Sequence, residues 1–270
     1  MPLQFKLYAV GVSAPGVGSL QDLHDLRRGA PVNEDRAMVL PAPQALPANE
    51  RRRASQAVRL TLACAEQALR DSPFAVDTLR TVFASDEGTG EVCQQMLEAL
   101  ATKRAVSPLL FHNSVHNAPS GYFSIAYQNQ QSATSISLGQ QSFASGLLCA
   151  ASEACTSRQP VLLLAYDPAM TGPMLSLLPV TQPTACAWII DAGDTPGALA
   201  SFALSLHAAG ATSVDPPLPE WMPADWASNS SAQAMLALGL LDDAREQRAC
   251  ELQLGAQILR IERLGEGAAC

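Results

Sequence analysis

Short apolar runs alternate with segments of helical periodicity over the first 165 residues of the chain. FKLYAVGVSAPG (5–16) reads as a strand that ends in a Gly/Pro turn. LRTVFAS (79–85), TSISL (134–138) and PVLLLAYD (160–167) read as three more strands; the last is apolar almost throughout, as in a sheet covered on both faces. Between them, LQDLHDLRRG (20–29) predicts a short helix stopped by Gly29. Val58, Leu62, Ala65 and Leu69 recur at helical spacing and predict one helix with a buried face over 51–72. VCQQMLEAL (92–100) predicts another. FHNSVHNAPSGYFSIAYQN (111–129) reads as a loop and then a helix, with Asn117 at the N-cap and Pro119 in the first turn, where a missing N–H costs little. This alternation predicts an α/β fold whose sheet is mostly parallel and covered by helices. After 167 the pattern changes. A Pro/Met/Leu loop (168–184) precedes an expected hairpin of ACAWIID (185–191) and LASFALSLH (199–207) around AGDTPG. Residues 211–231 read as irregular, followed by a helix over about 231–247 and a last strand over about 252–262. Residues 1–210 are expected to form the α/β domain, and 211–270 a short extension that completes it.

Composition narrows the function classes. The chain has 270 residues, of which 48% are hydrophobic and 16% charged. The low charge content implies a well-covered core and a sizeable apolar interface. A formal net charge of −8 disfavours nucleic acid, because phosphate contacts need clustered Lys and Arg. The seven cysteines (64, 93, 149, 155, 186, 250, 270) form no CxxC pair and no zinc-ligand spacing. They read as small buried hydrophobes in a reducing cytoplasm. No window approaches the roughly 18 apolar residues of a membrane span.

Four stretches carry candidate chemistry. TSISLGQQSFASGLLCAASEA (134–154) joins a strand to a small-residue helix through an abrupt turn. Such an elbow exposes one side chain beside free helix amides, good geometry for a nucleophile. GxSxG is absent; Ser142 and Ser145 are the residues able to attack, and no His or Asp partner is marked. HNSVH places His112 and His116 four apart, but they precede the expected helix and no third metal ligand stands out. DEGTGE (86–91) has the shape of a phosphate-cradling turn, yet its three acids repel phosphate. Arg51–Arg53 reads as a solvated helix end or a docking patch for an acidic partner. No metal or cofactor is expected from any of the four.

The order and spacing of these pieces resemble the N-terminal half of a β-ketoacyl synthase, in the thiolase-like superfamily. The resemblance runs through YAVGVSAPGVGSLQDLHDLRRG, RRASQAVRLTLACAEQAL, VFASDEGTGE, HNAPSGYFSIAYQNQQSATSISLGQQSFASGLLCAASEA and PVLLLAYD. Within that superfamily the chain is most similar to short chain-length-factor-like proteins of aryl polyene and xanthomonadin-type pathways. Active ketosynthases read Ala-Cys-small-small-Gly at the elbow; the corresponding text here is Ser142-Phe143-Ala144-Ser145-Gly146, so Phe143 stands at the nucleophile position. Nothing after 167 resembles the histidine segments of the second half, which is truncated. The resemblance therefore implies no catalytic residue and a partner role: a subunit that pairs with a full-length ketosynthase, meets acyl carrier protein only through that partner, and shapes its acyl tunnel. It implies Thr134, Ser135, Ile136, Ser137 and Leu138 as the interface strand. It implies Val92 and Met96, with Thr89, as tunnel-gate positions, for which plain helix packing is the competing reading. A scaffold that only stabilises the partner, and an independent acyltransferase or hydrolase using Ser142 or Ser145, are the alternatives.

Overall fold

The structure, a computed structural model, describes residues 2–31, 38, 40–209, 219–242 and 247–265. Its strands are β1 (Leu3–Ser13), β2 (Arg80–Ala84), β3 (Ala133–Ile136), β4 (Val161–Asp167), β5 (Thr184–Asp191), β6 (Ala200–Ala208), β7 (Ala249–Leu254) and β8 (Gln257–Arg263). Its helices are α1 (Leu20–Arg27), α2 (Ala48–Arg53), α3 (Gln56–Arg70), α4 (Gly90–Lys103), α5 (Pro108–Asn113), α6 (Ala118–Tyr127), α7 (Ser142–Ser157) and α8 (Ala232–Leu238). Among the described residues the strands form one eight-stranded sheet in the order β3-β2-β4-β5-β1-β6-β8-β7.

The sheet is mixed, which corrects the expectation of a mostly parallel one. β2 pairs in parallel with β3 and with β4, while the other five pairings are antiparallel. Parallel neighbours need a crossover, and α4–α6 supply it between β2 and β3, as α7 does between β3 and β4. No α-helix lies between β4 and β5, and β5 returns antiparallel to β4. The expected 185–207 hairpin is also corrected: β1 inserts between β5 and β6, pairing Lys6 with Asp191 on one side and Leu7 with Ala200 on the other. The tight hairpin lies later. The strand expected at 252–262 is β7 and β8 turning at Gly255-Ala256.

Two other boundaries move. The helix expected over 51–72 is two, because Ser55 adopts an extended backbone and its hydroxyl accepts from the Val58 amide, capping α3 anew. The expected 231–247 helix is α8 plus a 3-10 turn at Gly239–Leu241; residues 243–246 lie outside the described set, as do 211–218 of the irregular stretch. Pro119 does sit in the first turn of α6, with Asn117 at its N-cap position.

Strand alternation divides the core into two layers. On one face Val161, Leu163 and Ala165 of β4 join Cys186, Trp188 and Ile190 of β5, and α7, α8 and Leu23 and Leu26 of α1 cover them. On the other, Leu162, Leu164 and Tyr166 join Ala185, Ala187 and Ile189 beneath α3 and α6. Every residue of β4 and β5 is buried, as the apolar run of β4 predicts. No described helix is long and apolar enough to cross a membrane.

Candidate functional site

Because β2, β3 and β4 are mutually parallel, their C-terminal ends lie on one side of the sheet, where loops of α/β folds collect functional groups. The elbow is there. β3 ends at Ile136 and α7 begins at Ser142, with Gly139 in the left-handed region (φ 57°) making the turn. Gly146 lets the new helix lie on β2: a Cβ there would sit 2.7 Å from the Cβ of Ala84.

Of the two serines that could react, one is tied into the turn and the other is buried. The hydroxyl of Ser142 accepts from the Leu138 amide (2.8 Å) and donates to the Gly139 carbonyl (2.7 Å), so it ties the turn together. Its proton goes to a main-chain carbonyl rather than to a base. Ser145 Oγ is buried and makes no hydrogen bond among the described residues. Phe143 is completely buried in the core of its own chain and meets Trp188 edge-to-face at 5.7 Å. Phe143, the residue expected at the nucleophile position, is thus a packing residue.

The turn is also held from outside. Gln140 donates to the carbonyl of Ser228, Gln233 donates to the carbonyl of Gln140 (2.9 Å), and the Gly255 amide donates to Gln141 (2.6 Å). Beneath it the buried carboxylate of Asp167, at the end of β4, accepts from the amides of Asp86 (2.8 Å) and Ser231 (2.6 Å) and from the Ser230 hydroxyl (3.1 Å). One carboxylate therefore joins the end of β2, the end of β4 and the start of α8. None of these ties was foreseen from sequence; the available signal was an acid closing an otherwise apolar strand.

The DEGTGE turn contains its own anion. Glu87 accepts from the Thr89 amide (2.9 Å) and hydroxyl (3.1 Å) at the start of α4, where a phosphate would have bound. Burial holds the Glu87 carboxyl above the usual range, and burial followed by the Asp167 and Glu87 charges does the same for Asp86. The two histidines of HNSVH separate: His112 lies in α5, edge-on to Tyr122, and His116 lies in the following turn. The described residues contain no group of three or more His, Cys, Asp or Glu able to hold a metal ion. Arg51 braces its own loop through the Leu46 carbonyl (3.0 Å) and Gln44, and Arg53 pairs with Glu50 at 3.6 Å.

The edge beside the elbow is open. Among the described residues β3 pairs only with β2, and its four residues are partly exposed. Ser137 and Leu138 follow the strand; Ser137 donates to the Asp86 carbonyl, and Leu138 is 53% exposed. Of the gate positions, Thr89 and Val92 are buried in their own chain and Met96 is half-buried. The next turns of α4 expose Leu97 (57%) and Leu100, and neighbouring α5 exposes Leu109 and Phe111 (67%). Val115, in the turn before α6, and Ile125 of α6, which packs on β3, are exposed as well. Exposed apolar side chains in such number, beside an edge strand, mark an interaction face.

These features define a ketosynthase-type, thiolase-like fold whose elbow is closed. Residues 27–251 match the family model described as beta-ketoacyl synthase, N-terminal domain, and the chain belongs to that family. Among solved structures it is similar to a chain in the complex of the ketosynthase ApeO with its chain length factor ApeC from Xenorhabdus doucetiae. There the TM-score is 0.72 at 22% identity, covering 97% of this chain and 100% of that one. It is also similar to the type II polyketide ketosynthase AntDE in complex with its acyl-carrier protein AntF (TM-score 0.60, 13% identity, 77% of this chain and 70% of that). The ishigamide ketosynthase/chain length factor gives 0.59 at 13% identity, covering 76% and 67%. A search of curated proteins by sequence finds no match.

Proposed function

We propose that the chain is a non-catalytic, chain-length-factor-like subunit that pairs with an active β-ketoacyl-ACP synthase in polyene elongation and shapes the partner's acyl tunnel. The observation that carries the proposal is the burial of Phe143: where the resemblance implies the acyl-carrying cysteine, this side chain cannot form a thioester and is packed out of reach. The open edge of β3 and the apolar face of α4 and α5 support the pairing. Main-chain bonds along an edge fix register, and a wide apolar surface makes the contact durable. Of the gate candidates Thr89, Val92 and Met96, Met96 is the one with surface to offer a partner. Acyl carrier protein, itself acidic, docks on the partner rather than on a chain of net charge −8. We place the pair in the cytoplasm, and we take 211–270 as completing the domain of 1–210. The fold comparison with a ketosynthase–chain length factor complex agrees with this reading.

Co-expression with a full-length ketosynthase and carrier protein of the same pathway tests it. The two chains are expected to co-purify, and Met96→Trp is expected to shorten the polyene. Failure to co-purify, together with unchanged product length when this chain is omitted, overturns the proposal. If Met96→Trp alters stability alone, the chain is a scaffold and not a gate.

A further inference from the structure

The end of β3 farthest from the elbow carries a second anchor. On α7, Glu153 accepts from Arg80 Nε at 2.9 Å through one carboxylate oxygen and from the Thr134 hydroxyl at 3.1 Å through the other. Arg80, which opens β2, also reaches Gln159 ahead of β4 (3.4 Å). The side chains of Arg80 and Glu153 are 25% and 19% exposed, so the pair is screened less than one at the open surface. One carboxylate thus fastens the edge strand to the helix and to its neighbouring strand.

The strand needs fastening. β3 is four residues long and held by a single ladder, a combination that opens readily. Its inward main-chain groups are those of Ser132, Thr134 and Ile136: the Thr81 amide donates to Ser132 and the Ser85 amide to Ile136. By the two-residue repeat, the amides and carbonyls of Ala133 and Ser135 point out along the open edge. The side chain of Thr134 turns to Glu153, and that of Ile136 packs into the core on the same face. A slip of one residue would turn both away from α7.

We propose that Glu153 is a positioning residue for subunit association: by holding Arg80 and Thr134 together it presets the β3 edge, so that a partner strand meets Ala133 and Ser135 in one register. The inference rests on the pairing role given to this edge above. A strand fixed beforehand loses less freedom on binding, which is how a contact remote from the interface raises affinity.

Hydrogen exchange on the purified chain and affinity for the ketosynthase retained by the wild type test it together. Thr134→Val and Glu153→Gln are expected to speed exchange at the amides of 134 and 136 roughly tenfold, the worth of one charge-assisted hydrogen bond, with β4 amides unchanged. Both are expected to weaken association by a similar factor, while Thr134→Ser restores wild-type values in each measurement. Faster exchange with undiminished affinity overturns the inference alone, since the tie is then only structural. Unchanged exchange overturns it as well. A wild-type chain that retains no ketosynthase overturns the functional reading and the inference with it.

Discussion

The elbow and the strand that leads into it are a few residues apart and are built to opposite ends. At the elbow the side chains are turned inward: Phe143 fills the core, Ser142 ties the turn, the Ser145 hydroxyl is buried, and Gln140 and Gln141 are held by later parts of the chain. At β3 the main chain is left unpaired along one side and flanked by exposed leucines and a phenylalanine. A ketosynthase-type fold can therefore fill its elbow and still leave an edge strand open, because the two depend on different atoms: side chains at one, main chain at the other. The far edge of the same sheet shows that the openness of β3 is particular. On the outermost strand, β7, Glu251 pairs with Arg260 of β8 at 2.9 Å, and Arg260 also reaches Glu262, so charge guards that edge against pairing.

The contrast can be broken at either side. The largest expected effect is at the elbow. Phe143→Ala should lower unfolding free energy by about 3–5 kcal/mol, because it empties a fully buried aromatic site against Trp188. Denaturant unfolding measures it, and a loss below about 1 kcal/mol would mean the site is not the packed core described. Phe143→Cys should give no condensation by the lone chain, since its thiol would be buried without a base.

At the edge, Ser135→Pro removes one outward N–H, a substitution that edge strands tolerate. The isolated chain should change by less than about 1 kcal/mol, while affinity for a ketosynthase falls at least about a hundredfold. Glu251→Pro, at an outward position on β7, is the matching control and should leave affinity unchanged. Equal losses from both would erase the difference between the edges.

Smaller again, Ser142→Ala should cost about 1–2 kcal/mol by leaving the Leu138 amide without its acceptor. A serine-directed phosphonate should not label the wild-type chain. Labelling that disappears in Ser142→Ala or Ser145→Ala would restore the hydrolase or acyltransferase reading.

The smallest effect lies between the two regions. Asp86 receives Ser137 on its carbonyl and Gln140 on its carboxylate. Burial raises the carboxyls of Asp86 and Glu87, so the native state binds more protons than the unfolded chain from the ordinary carboxylate range up to the raised values. Stability should fall as pH rises through that window. Asp86→Asn should flatten the slope in a series of melts between about pH 4 and 7, and an unaltered slope would assign it to other groups.

Much of the first 167 residues was legible because each element there carries its own signal. The apolar run of β4, the helical spacing of α3 and the small-residue helix after a sharp turn are local facts. The sheet order was not legible. That β1 divides β5 from β6 depends on pairings between residues nearly two hundred apart, and a strand's sequence does not name its neighbour. The site divided in the same way. The resemblance implied Phe143 at the nucleophile position, but its burial against Trp188 depends on β5 and was not readable from the elbow. The Asp167 and Glu153 anchors were missed because each joins segments far apart in sequence, and a lone acid at the end of a strand or on a helix announces no partner.

The central place of β1 has a consequence during synthesis. Of the described strands β1 is made before the rest, and it is strongly apolar, with Phe5, Leu7, Tyr8 and Val12 all buried in the finished fold. Its two neighbours in the sheet, β5 and β6, are among the later strands to be made. At roughly 5–20 residues per second β1 waits on the order of ten to forty seconds for its first ladder. Through that interval it is a nascent segment for chaperones to hold, and the yield of soluble chain depends on how well they do so.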